Sequence, residues 1–284
     1  MKHMIKFPIT MSPIRKTLLI TAVITAGLLL LLGYINHYSA WPPAENPPHQ
    51  GEALDPAALR NGVIIHSAKA LGQLVREPQN TWSNMAFILG GSLLISLGTT
   101  RCGRLAGAML IAVGAGSFLY HASASRTLRH GDVAAMYGLY FITMILCVGA
   151  TWPSLRRKFE KHAWLIAMTS LLVAVGAACG RNFVVFGFKP LELTLVTAIV
   201  VAVLVATFFL TIKRRRDLKT FSLVATALAL FGISVVCQLG DRPGRWLCNP
   251  DAFIQGHALW HLFSAAAFVV VVFLLEQNTH AKSI

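Results

Sequence analysis

Charge is scarce in this 284-residue chain: Asp, Glu, Lys and Arg make up 13% of it, about half the share usual in a soluble globular protein. One core cannot hide an apolar fraction of 55% from water, which excludes a soluble enzyme. Disorder, which needs low hydrophobicity and high net charge, is excluded with it. Acids are the scarcer sign, 11 against 25 Lys and Arg. The five cysteines include no Cys-x-x-Cys pair and are too few for a disulfide scaffold. No internal repeat is visible.

What the chain does have is long apolar runs. About 20 apolar residues cross a bilayer as a helix, and eight such stretches are present, at 17–36, 81–98, 105–122, 133–151, 163–180, 190–212, 220–239 and 254–275. Pro190 suits the first turn of its helix. Short connections predict that sequential helices are antiparallel neighbours. The loops then alternate in charge. One side holds Lys2, Lys6, Arg15, Lys16, Arg101, Arg104, Arg156, Arg157, Lys158, Lys161, Lys213, Arg214, Arg215, Arg216, Lys219 and Lys282, 16 in all. The other holds Arg60, Lys69, Arg76, Arg126, Arg129, Arg181, Lys189, Arg242 and Arg245, nine in all. This asymmetry predicts that the first side is cytoplasmic, with both termini inside. The basic runs are therefore read as a topology signal, and no nucleic-acid partner is expected.

The first stretch follows basic residues, as in a signal peptide. Its apolar run is longer than the usual h-region, and Tyr38 stands where a small residue is wanted. An uncleaved anchor at 17–36 is expected, after a cytoplasmic tail at 1–16. The segment 37–80 contains Trp41-Pro42-Pro43 and Asn46-Pro47-Pro48 and reads as an external linker or surface cover. The tail 276–284 returns to the cytoplasm.

Ionisable residues inside membrane helices are costly and mark function by default. The third stretch ends with Ser117 and His121, four apart and on one helix face. Asp132 opens the fourth. The last begins with His257 and His261, again four apart. By the expected topology these residues all reach the outer end of their helices, although more than 120 positions separate Asp132 from His257. Three imidazoles and a carboxylate at one depth suit a divalent metal. Three histidine ligands, with no cysteine beside them, point to zinc with an open fourth position. His130 is read as an interfacial residue, and Glu192 as a partner of Lys189. A second cluster, Glu77-Pro78-Gln79-Asn80-Thr81-Trp82-Ser83-Asn84, has two readings. Asn80 or Thr81 caps a helix while Trp82 anchors it at the interface, or Ser83 and Asn84 enter the membrane to brace the site or a neighbouring helix.

On these residues the chain resembles the alkaline ceramidase family. That family lies within a superfamily of seven-helix membrane hydrolases that includes the progestin/adiponectin receptors and Per1 proteins. The resemblance rests on Glu-x-x-Asn-Thr-x-Ser-Asn at Glu77–Asn84, Gly-x-Gly-Ser-x-x-x-His at Gly114–His121 followed by Asp132, and His-Ala-x-Trp-His at His257–His261. It implies an all-α membrane protein with a seven-helix domain at 81–275 behind one extra N-terminal helix. It also implies zinc on His121, His257 and His261, with Ser117 and Asp132 as catalytic residues and Glu77, Asn80, Ser83 and Asn84 as support or a second metal site. The implied reaction is hydrolysis of the amide of ceramide or a related N-acyl lipid. The rivals are a zinc-containing sensor with little turnover and a transporter with a histidine proton relay. Animal members carry further calcium ligands and a cysteine ahead of the first motif. Ala57 to Arg76 contains no acid and no cysteine, so only Glu77 carries over and calcium is not implied. Asp241 and Cys248 resemble the region where that cysteine's partner lies. Cys179 and Cys237 are substitute partners for Cys248, and an isolated thiol is the alternative.

Overall fold

The computed structural model describes residues 11–37, 75, 77–123, 126–180, 193–242, 245–248 and 252–277. Among them every regular element is a helix: α1 (Pro13–His37), α2 (Pro78–Ser83), α3 (Met85–Leu97), α4 (Arg101–Ser123), α5 (Arg126–Thr151), α6 (Pro153–Lys161), α7 (Ala163–Gly180), α8 (Leu193–Arg215), α9 (Leu218–Gly240) and α10 (Gly256–Gln277). Most of the external segment 37–80, both chain ends, and the Lys189–Glu192 pairing lie outside the described residues, as does the side chain of Cys179.

Among the described residues six helices are long and apolar enough to cross a membrane: α1, α4, α5, α8, α9 and α10. The apolar run in α7, Ala163–Val173, is shorter. Large apolar side chains such as Leu30, Leu172, Phe209 and Val235 stand exposed on the outside. In water such a surface would aggregate, and in lipid it is the expected exterior. The protein is an all-α membrane protein.

The helices follow the apolar stretches closely, with three differences. The stretch 81–98 is broken at Asn84 into α2 and α3. In an unbroken helix the Asn84 N–H would bond Asn80 O. Instead the Asn84 side-chain amide (2.7 Å) and the Ser83 hydroxyl (2.9 Å) take that carbonyl, which is the competition by which short polar side chains interrupt helices. Neither Asn80 nor Thr81 is a cap: α2 begins at Pro78, and Glu77 is its N-cap residue. Asp132 does not open its helix either, because α5 begins at Arg126 and Asp132 lies in its second turn. The short helix α6, with Arg156, Arg157, Lys158 and Lys161, was not apparent as an element because its nine residues are strongly polar.

α10 is the central helix, packed against α2, α3, α4, α5 and α9. α1 packs on α3, placing Leu28 and Leu32 against Ile88, Phe118 and Ala122. Small residues bring α3 and α4 together: a Cβ on Gly91 would lie 2.4 Å from Gly107 O, and one on Gly107 2.7 Å from Gly91 O. The first N–H groups of α4 have no partner in their own helix. Two carboxylates from other helices satisfy them. Glu276 of α10 accepts from the Thr100 N–H (3.0 Å) and hydroxyl (2.7 Å). Glu160 of α6 accepts from the N–H groups of Arg101 (2.7 Å) and Cys102 (3.2 Å). α4 and α10 are thus joined at one end by Thr100 and Glu276, and at the other by the histidines described next.

Candidate metal centre

His121 ends α4, while His257 and His261 occupy the first two turns of α10. Ligand atoms from all three lie within 4.8 Å of one another. Ring centroids are 4.9 Å apart for His121–His257, 5.3 Å for His121–His261 and 4.6 Å for His257–His261. The one-turn spacing on α10 aims two rings at one point, and the meeting of α4 with α10 brings the third. The group can hold a metal ion.

The surrounding hydrogen bonds fix how two rings present themselves. The Ser83 hydroxyl spends its only proton on Asn80 O (2.9 Å). It can therefore only accept from His261 Nδ1, 2.8 Å away. This puts the ring proton on Nδ1 and leaves a lone pair on Nε2, which is buried with no hydrogen-bond partner among the described residues. A buried orphan nitrogen is costly unless something electrophilic meets it. At His121, Nδ1 faces Glu77 Oε2 in a short contact. A carboxylate only accepts, so Nδ1 carries the proton here as well, and Nε2 is free to ligate. Asn80 Nδ2 in turn holds Glu77 Oε2 at 3.3 Å. Such outer partners commonly orient metal-binding histidines. Three converging rings, a proton held on Nδ1 of two of them by outer partners and an orphan Nε2 on His261 fit a divalent metal.

Ser117 and Asp132 adjoin the trio. Ser117 is buried one turn below His121 and lines the same cavity as Asp132. The two glycines of Gly114-x-Gly116-Ser117 let neighbouring helices approach closely here. A Cβ on Gly114 would meet Asn84 O at 3.0 Å and Ile88 Cγ1 at 2.8 Å, and one on Gly116 would meet Asp132 Cα at 3.3 Å. α3 and α5 can therefore both press against α4 beside the site.

A cavity of about 830 Å³ leads away from the histidines. Ser117, Asp132, Asp241, His257 and His261 line its polar end, and Leu204, Phe208, Leu228, Phe231 and Phe268 its apolar end. Val201 and Val205 of α8 and Leu228 and Val235 of α9 line the cavity and are solvent-accessible.

Comparison with protein families matched residues 71–283 to the Ceramidase family. The chain belongs to the alkaline ceramidase family. It is accordingly an amidohydrolase acting on the ceramide amide bond. Comparison with curated proteins and with solved structures gave no match.

In this ceramidase the residues singled out from the sequence divide by contact. His121, His257 and His261 converge, and Ser117 and Asp132 line the cavity beside them. Glu77 and Ser83 touch the histidines directly, while Asn80 and Asn84 hold the turn that carries them. Cys237 is a buried free thiol. Asp241 was not recognised as part of the site. It is buried next to α10 and lines the cavity. Burial pushes its carboxyl up to about 6, opposed by the N–H groups of His257 and Gly256. No local pattern could have found it, because Gly256 and His257 stand 15 and 16 positions further along the chain.

Proposed function

We propose that the protein is a zinc-dependent intramembrane hydrolase that cleaves the amide of ceramide or a related N-acyl lipid. Its products are a fatty acid and a sphingoid base. The observation that carries this reading is the inward lone pair of His261 at the polar end of an apolar cavity. The accessible apolar lining on α8 and α9 supports entry of a lipid from the bilayer, with its chains against Leu204, Phe208 and Phe231 and its amide at the histidines.

His121, His257 and His261 would hold the zinc. A bound zinc supplies a Lewis acid that lowers the pKa of water and polarises a carbonyl. The Asp132 carboxylate takes a proton from the attacking water and returns it to the amine nitrogen as the C–N bond breaks. Ser117, which lines the same cavity, turns its hydroxyl proton toward the carbonyl oxygen as negative charge develops. Glu77, Asn80, Ser83 and Asn84 support the histidines rather than form a second metal site, because Glu77 is already engaged by His121 and Asn80. His257→Ala and His261→Ala should each lose zinc and amide hydrolysis together. Full zinc occupancy in the double variant would overturn the ligand assignment.

The 16-to-9 basic asymmetry supports cytoplasmic termini and a site near the external face. Reporter fusions at Lys158 and Lys213 should read cytoplasmic and one at Arg126 external, and the reverse pattern would invert the orientation.

A further inference from the structure

The trio needs α10 to begin at a fixed place and point in a fixed direction, because His257 is only its second residue. The first N–H groups of a helix must find partners outside it. Here Asp241, the residue that ends α9, brings a carboxylate beside them. Asp241 is 8% exposed, and its side chain lies against the start of α10, where the N–H groups of Gly256 and His257 favour its charged form. Beyond α9 the Leu247 N–H bonds back to Gly240 O at 2.9 Å. The fit leaves no room at Gly256: a Cβ there would lie 2.6 Å from Cys237 O, 2.8 Å from Asp241 Cβ and 3.0 Å from Leu247 Cβ.

We infer that Asp241 is a positioning residue of the metal centre, its carboxylate fixing the start of α10 so that His257 and His261 meet His121. This rests on the reading of the trio as the metal site. Asp241 itself does not bind the metal. It acts through the backbone of His257, as Ser83 and Glu77 act through the rings of His261 and His121. The side chain also lines the substrate cavity, so a change there is felt at the reacting end. α9 has a cap of the same kind at its own start, where Asp217 accepts from the Thr220 N–H at 2.8 Å. That cap lies at the opposite end of α9 and provides an internal comparison.

The test uses full-length protein in detergent or nanodiscs, with zinc affinity measured against a chelator and the ligand field read from the visible spectrum of the cobalt-substituted form. Asp241→Ala and Gly256→Ala should each weaken zinc binding by about tenfold or more, the range associated with losing an orienting partner, and should shift the cobalt bands. Asp241→Asn, which keeps an oxygen to accept an N–H, should recover most of both. Asp217→Ala should change neither. Wild-type affinity and spectrum in Gly256→Ala and Asp241→Ala would overturn the inference, as would an equal loss in Asp217→Ala. If Asp241→Ala fails to fold, Gly256→Ala and Asp241→Asn decide the matter on the same two readouts. A wild-type protein that binds neither zinc nor cobalt would instead overturn the metal reading itself.

Discussion

Ser83 Oγ lies 2.8 Å from His261 Nδ1 and, having given its own proton to Asn80 O, accepts the ring's proton. One hydroxyl therefore selects the tautomer of a histidine 178 positions away. The broken helix at Asn84 is what permits it, since the carbonyl that anchors Ser83 is the one an unbroken helix would have used.

Ser83→Ala should lower zinc affinity by about 10- to 100-fold, the usual effect of losing an outer partner of a metal-binding histidine. Glu77→Gln should do the same through His121. Chelator competition on the purified variants measures both, and unchanged affinity in both would deny the tautomer argument.

Asp132→Asn should keep its zinc and lose most turnover, because an amide cannot take the water's proton. Ser117→Ala should also keep zinc and lose about 10²–10³ in rate if its hydroxyl stabilises the oxyanion, and far less if it only packs. Single-turnover rates on zinc-loaded variants separate these roles. Normal turnover in Asp132→Asn would leave Asp132 as a mere partner of a histidine.

Glu276→Ala should destabilise the protein by about 1–3 kcal/mol, because it strands the part-buried Thr100 N–H at the start of α4. Thermal unfolding of the purified variant in detergent reads this directly. A melting temperature equal to that of the parent would mean that water or another group replaces the carboxylate.

The helices were largely legible because six of the ten described are apolar runs long enough to cross a bilayer, and few other structures can use such runs. The histidine trio was legible because two four-residue spacings and alternating topology placed the rings at one depth. The pairings that prepare the rings were not, since Glu77 and His121 stand 44 apart and no periodicity relates them. The same holds for Asp241 and the first N–H groups of α10. The break at Asn84 was hidden for a different reason: Thr81, Ser83 and Asn84 read equally as a helix start or as polar residues within a span, and only the competition for Asn80 O decides between these.

Zinc content and fatty-acid release, measured together on the purified wild-type protein with ceramide and other N-acyl lipids by mass spectrometry, test the central claim most directly. The account predicts about one zinc per chain, the number a three-histidine site holds, and release of fatty acid and free amine in equal amounts. Full zinc with no fatty acid released from any N-acyl lipid would contradict it and favour a zinc-containing sensor.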